Sequence, residues 1–246
     1  MSKRRPSSGR WLEERRRDPY IQAAQAAGYR SRAAFKLLEI QEQVVRSDQG
    51  GPGVVARGMT VLDLGAAPGG WSQVAARLVG GGGRVVALDL LEMAPLEVAG
   101  GARVEVLRGD FLEEAGLALI REALGGTGRA DLLLSDMAPE MCGIRSVDQM
   151  RGEFLAESVF AVAGEVLVAG GNLVLKLFQG PGFHQLVGQA KARFARSRVI
   201  KPPASRGRSP EHYLVGLGFR AEAPGGEGSP GGGVWGVRDG EGACRS

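Results

Sequence analysis

Residues 60–71 read TVLDLGAAPGGW, and this stretch decides the architecture. Val61, Leu62, Asp63 and Leu64 have strand chemistry and run into Gly65-Ala66-Ala67-Pro68-Gly69-Gly70. A helical pattern follows, carried by Trp71, Val74, Ala75 and Leu78. A buried strand that ends in small residues lets a ligand touch bare backbone. The helix after it aims unsatisfied N–H groups and a positive dipole end at the same spot. Open α/β sheets bind ligands at such strand ends.

Spacing limits what this cradle holds. A dinucleotide fingerprint needs G-x-G-x-x-G so that pyrophosphate can approach the turn. Here only Gly65 and Gly69-Gly70 are available, with Pro68 stiffening the loop between them. The missing middle glycine argues against a pyrophosphate. Asp63 and, after the next strand, Asp89 add carboxylates beside the cleft. Together they favour a ligand with an amine and a ribose diol, and S-adenosylmethionine carries both.

Outward from the cradle, strands are expected at 84–88, 104–107, 131–135, 172–178, 197–200 and 213–217. The last is expected to be antiparallel, since only a short connection precedes it. A long helix spans 154–168 and leads through Gly170-Gly171 to the next strand. Ser31 reads as the N-cap of a helix over 32–40, with Ala34, Leu37, Leu38 and Gln41 on one face and Lys36 off it. Alternating strands and helices predict an α/β fold with a doubly wound sheet.

At 246 residues and 25.8 kDa the chain has length for one sizeable core and little for a second domain. No apolar run approaches the ~18 residues of a membrane span, and the basic start lacks the apolar region of a secretory signal. Cys142 and Cys244 lie far apart, and with only His184 and His212 besides they offer neither a disulfide framework nor a zinc cluster. A cytoplasmic address is expected. Residues 1–20 read as a basic flexible arm, 21–220 as one domain and 221–246 as a Gly-rich disordered tail.

Net charge is +4, but its distribution says more. Residues 1–17 hold Lys3, Arg4, Arg5, Arg10, Arg15, Arg16 and Arg17. Residues 191–208 hold Lys191, Arg193, Arg196, Arg198, Lys201, Arg206 and Arg208 with no acid. Either block alone could be a solvated face; both together, beside a ligand cradle, point to a nucleic acid.

The segments DLGAAPGGWSQ, VVALDLLEM, RGDF, SDMAP and LKLFQG, in that order, resemble the RrmJ/FtsJ family of ribosomal RNA large-subunit 2′-O-ribose methyltransferases. The resemblance runs from about residue 11 to residue 218. It implies a Rossmann-like class I S-adenosylmethionine-dependent methyltransferase fold, with a seven-stranded, mostly parallel sheet and helices on both faces. It further implies methylation of a uridine ribose in 23S rRNA within the assembled 50S subunit, by a monomer without a metal.

Methyl transfer to a ribose hydroxyl is an in-line displacement, so the enzyme must remove the hydroxyl proton and align the oxygen with the methyl. A lysine can act as that base only if burial or neighbours lower its pKa. Lys176 follows Leu173-Val174-Leu175 at the mouth of a buried strand and is the candidate; the competing reading is an edge-strand lysine reaching solvent. Asp136 ends the most apolar strand, facing the crevice or else capping a turn before Pro139. Lys36 and Glu211 read, on physics alone, as a solvated helical lysine and an ordinary strand-start residue.

The resemblance changes those readings, because the family uses a Lys-Asp-Lys-Glu set matched here by Lys36, Asp136, Lys176 and Glu211. It makes Lys176 the general base, has Asp136 position that lysine and the donor, and gives Lys36 and Glu211 the orientation of the substrate. For the donor it points to Gly69 and Trp71 in the cradle, Asp89 on the ribose diol, Asp110 near the adenine, and Asp136. Asp63 is placed at the amino-acid end. Trp71 could equally be core, and Asp110 a cap for the segment after it. Glu140 departs from the small polar residue that the family pattern expects after SDMAP, and residues 47–57 look like a local insertion. Two other function classes compete: a nicotinamide oxidoreductase, disfavoured by the missing fingerprint, and a non-catalytic RNA-binding factor, disfavoured by the intact set of four.

Overall fold

Strand β1 (Thr60–Leu64) lies near the middle of a seven-stranded sheet in the computed structural model, which describes residues 18–205 and 209–221. Most of the arm and nearly all of the tail expected from the sequence, with Arg206 and Arg208, fall outside the described residues. The elements follow in the order α1 (Pro19–Ala26), α2 (Ala33–Ser47), β1, α3 (Gly70–Val79), β2 (Arg84–Asp89), β3 (Arg103–Arg108), α4 (Glu114–Leu124) and β4 (Ala130–Ser135). Then come α5 (Arg145–Val166), β5 (Leu167–Phe178), α6 (Phe183–Arg193), β6 (Phe194–Ile200) and β7 (Glu211–Phe219). The strand order is β3-β2-β1-β4-β5-β7-β6, and β7 runs antiparallel to both its neighbours, as expected.

The inner strands bury both faces, while the outer β3 and β6 are only partly covered. On one side Leu62, Leu64, Val86, Leu133, Leu173 and Leu175 pack under α4, α5 and α6. On the other, Val61, Val85, Leu132, Leu134, Val174, Tyr213 and Val215 pack under α2 and α3. Strand periodicity therefore sends Asp63, Asp136, Lys176 and Glu211 towards the α2 side, because each lies an even number of positions from a residue buried there. Since β7 is antiparallel, its first residue, Glu211, sits at the same end of the sheet as the last residues of β4 and β5. The fold thus gathers them before any side chain is considered.

Several expectations need correction. Ser31 is not the N-cap of α2: the helix starts at Ala33, Arg32 occupies the cap position without a side-chain cap bond, and the helix runs on to Ser47. Lys36 is on the inward side of α2 and is buried, because Glu211 and Asp136 wait beneath it to pair its charge. Lys176 is not on an edge: β5 is paired with β4 and β7, and the side chain is only 9% exposed. Helix α5 begins at Arg145 rather than 154 and stops at Val166, while Leu167 and Val168 already belong to β5. That strand crosses Gly170-Gly171 in a bulge, where Ala130 faces Leu167 but Leu132 faces Asn172. Helix α1 begins inside the span read as an arm; Asp18 caps it by accepting from the Tyr20 amide at 3.1 Å.

Candidate active site

The loop after β1 builds the first wall. Gly65 takes φ +70°, and a Cβ there would stand 2.0 Å from Met137 Cγ, so the loops after β1 and β4 meet over a bare backbone. Beyond it opens a cleft of about 450 Å³ lined by Gly65, Ala67, Asp89, Asp110, Asp136 and Met137 among others. Asp89 ends β2 and accepts from the amides of Ala67 and Leu91, both at 2.8 Å. Asp110 accepts from the Leu112 amide at 2.9 Å. It therefore caps a turn and lines the cleft at once, so its two sequence readings are not exclusive. Each carboxylate keeps lone pairs to offer a hydroxyl or an amine.

A recess of about 180 Å³ continues the cleft towards α2, sharing Gly65, Ala67 and Asp136 and adding Asp63, Gly70 and Trp71. Asp63 is buried at the N-terminus of α3, where Ser72 Oγ donates to its Oδ2 at 2.6 Å. Burial, reinforced by the nearby Asp136 and Asp89 carboxylates, pushes its pKa up to about 7. Trp71 is both core and wall: it is buried, and its Nε1 donates to the Ala33 carbonyl at 2.8 Å. Gly69 lines neither hollow. It stands at the N-cap of α3 with φ +105°, its amide donating to the Ala66 carbonyl at 2.6 Å, and thus shapes the turn from behind.

At the far side of the recess the four expected residues converge. Lys176 Nζ lies 3.0 Å from Asp136 Oδ1 and 3.7 Å from Glu211 Oε2. It also donates to the Asp136 carbonyl at 3.1 Å. Lys36 Nζ lies 3.1 Å from Glu211 Oε1 and 3.6 Å from Asp136 Oδ1. Two cations and two anions alternate in a closed square, and Asp136 belongs to the larger cleft, the recess and the square. Burial works to raise the Glu211 pKa, but Lys36 and Lys176 outweigh it and hold the carboxyl below the usual range. A third hollow, of about 290 Å³, opens over Lys36 and Glu211 towards solvent.

Two contributors escaped the sequence reading. Tyr213 donates its hydroxyl to Asp136 Oδ1 at 2.5 Å, and burial, then Asp136 and Glu211, raise its pKa. Its signal was strand periodicity, since it stands two residues after Glu211 on the same face of β7. Arg30 clamps the cradle from outside, donating to the carbonyls of Pro68 at 3.2 Å, Ala94 at 2.8 Å and Pro95 at 2.5 Å. Nothing in the sequence marked it.

The model of the FtsJ-like methyltransferase family matches residues 29–219 of this chain. The chain is 54% identical over 220 residues to the ribosomal RNA large subunit methyltransferase E of Magnetococcus marinus, covering 89% of this chain and 100% of that protein. It is 48% identical over 219 residues to the protein of the same name from Pseudomonas aeruginosa, covering 89% and 99%. Among solved structures, a putative ribosomal RNA methyltransferase from Plasmodium falciparum matches with a TM-score of 0.65 at 23% identity, covering 79% of this chain and 100% of that one, a likeness of fold.

Proposed function

The chain belongs to the FtsJ-like methyltransferase family, and from that premise we propose that it methylates the ribose 2′-oxygen of a uridine in 23S rRNA within the assembled 50S subunit. Its relatives, named ribosomal RNA large subunit methyltransferases, support the substrate class. S-adenosylmethionine supplies the methyl as a sulfonium. The cleft supports this reading: about 450 Å³ is in the range of small-ligand sites, and Asp89 and Asp110 in its wall would supply acceptors for a ribose diol and an adenine amine. Asp63, Trp71 and the N-terminus of α3, which line the recess, would hold the amino-acid end. The observation that carries the reading is the Lys36–Asp136–Lys176–Glu211 square abutting that cleft through Asp136.

In this reading Lys176 takes the proton of the 2′-hydroxyl, Asp136 aligns Lys176 with the donor, and Lys36 and Glu211 orient the ribose. Arginine tests the first role, because it keeps the charge and cannot act as a base. Lys176→Arg is expected to lower turnover by about a hundredfold or more, read by tritium-methyl transfer to large subunits from cells lacking the protein. Calorimetric affinity for S-adenosylmethionine should stay near wild type. Turnover close to wild type would remove Lys176 from the role. In the same assay Asp89→Ala should weaken donor binding, and unchanged affinity would count against the donor set.

A further inference from the structure

Next to the square lies a hollow of about 420 Å³ that the reaction as described leaves unused. Its walls include Met141, Arg145, Gln149, Phe178, Gln179 and Pro210, and it shares no lining residue with the donor cleft. Three of them continue the segments that carry the square. Phe178 stands two positions after Lys176 on β5, Pro210 immediately precedes Glu211, and Met141 belongs to the loop that starts at Asp136. Lys176 Nζ is 5.8 Å from the centroid of the Phe178 ring. A nucleobase is joined to the sugar carbon beside the one bearing the 2′-hydroxyl. With that hydroxyl at Lys176, the base lies about one ring away, and the Phe178 ring in the wall of this hollow is at 5.8 Å.

We propose that the hollow receives the uracil of the nucleotide being methylated, stacked on Phe178, with the side-chain amides of Gln149 and Gln179 meeting its polar edge. This rests on the 2′-O-methyltransferase reading and adds to it the residues that grip the base. Phe178 is only half-buried, so part of its ring is open to a stacking partner. Among the described residues, neither glutamine amide makes a hydrogen bond, and each offers the donor and the acceptor that a uracil edge requires. The hollow's acid is already spent: Asp148 accepts from the amides of Cys142 at 2.7 Å and Gly143 at 3.0 Å, which fixes the loop over the opening. On another side, the backbone N–H of Gln179 donates to the Pro210 carbonyl at 3.1 Å, tying β5 to the start of β7 and leaving the side-chain amide unengaged. RNA enzymes read splayed bases in this way, on an aromatic plane with amides at the edge.

The test uses large ribosomal subunits from cells lacking the protein, with wild type, Phe178→Ala, Phe178→Tyr and Gln149→Ala. Phe178→Ala is expected to lower kcat/KM for subunits by about tenfold or more, the usual cost of losing a stacked base. Affinity for S-adenosylmethionine should be unchanged, and Phe178→Tyr should restore transfer. Gln149→Ala should lose kcat/KM in the same direction. Subunits carrying 4-thiouridine at the methylated position should photo-crosslink to wild type within the segments 141–149 or 178–179. Wild-type kcat/KM in both alanine variants, or crosslinks only outside those segments, would overturn the proposal while leaving the methyltransferase reading intact. If wild type itself methylated no subunit RNA, both would fall. Should Phe178→Ala bind no donor and thus be misfolded, Gln149→Ala and the crosslink decide.

Discussion

Asp63 pairs a structural cost with a proposed binding role. The strand that carries it buries the carboxyl, and with Asp136 and Asp89 nearby the pKa rises to about 7 from an ordinary 3.8. The native state therefore binds more protons than the unfolded chain between those values. The stabilising contribution is full below about pH 4 and is lost as pH rises through about 7. Thermal melting of wild type should accordingly decline relative to Asp63→Asn across that window, since the amide can still accept the Ser72 hydroxyl and does not titrate. Parallel melting curves would show the opposite, a carboxyl with no shift. A cationic amine entering the recess favours the ionised form, so donor binding at pH 6.5 should release protons, read by calorimetry in buffers of different ionisation enthalpy. Tyr213 acts one step back from the reacting atoms. Removing its hydroxyl deprives Asp136 of a donor at 2.5 Å, and hydrogen bonds to charged groups contribute about 1.5–3 kcal/mol. Tyr213→Phe is expected to lower the melting temperature in line with that loss and, in addition, to lower kcat about tenfold with donor affinity nearly unchanged; a loss of stability with kcat at wild type would make the residue merely structural.

At the scale of elements, the cradle depends on a contact between segments that share no secondary structure. Arg30 precedes α2, and its guanidinium ties the turn before α3 to the loop after β2 through three carbonyls. Its own amide donates to Gln73 Oε1 at 2.7 Å, fastening it to α3. Arg30→Ala should weaken S-adenosylmethionine binding by about fivefold or more, at about 1 kcal/mol per lost hydrogen bond. Amide exchange over 66–70 and 93–96 should rise with it; protection equal to wild type would show that the turn holds itself. This clamp was illegible in the sequence because its partners are carbonyl oxygens, which every residue has. The β1–α3 unit, by contrast, could be read directly, since an apolar strand, a small-residue turn and a helical period sit side by side. Lys36 was misplaced for a related reason: helical periodicity sends a lysine outwards unless something buried pairs with it, and its partners arrive from β4 and β7. The start of α5 was missed because residues 145–153 are largely polar and carry no apolar stripe. The set of four was legible only through the family resemblance, as physics alone left Lys36 and Glu211 ordinary.

Over the whole molecule, the arginines and Lys201 of the described basic stretch from 191 to 201 are held by different partners. Arg196 and Arg198 both reach Asp48 at the end of α2, at 2.9 and 3.2 Å. Asp48 is twelve positions from Lys36 along that helix, roughly 18 Å at 1.5 Å per residue. That exceeds the Debye length of about 8 Å at physiological ionic strength, and one carboxylate already offsets part of the charge. Lys201 is placed otherwise. It follows Ile200, which faces Tyr213 across the β6–β7 ladder, and its Nζ donates to the Ser209 carbonyl at the rim of the hollow over Glu211. If subunit RNA enters over that rim, Lys201 meets its phosphates and the Arg196–Arg198 pair does not. Each lost phosphate contact flattens the dependence of log affinity on log salt by about 0.7–0.9. Lys201→Ala should therefore reduce the slope by about that amount, while the double variant Arg196→Ala, Arg198→Ala should leave slope and transfer near wild type. The reverse pattern would place the RNA along the far length of β6, and the entrance over Glu211 would then have to be given up.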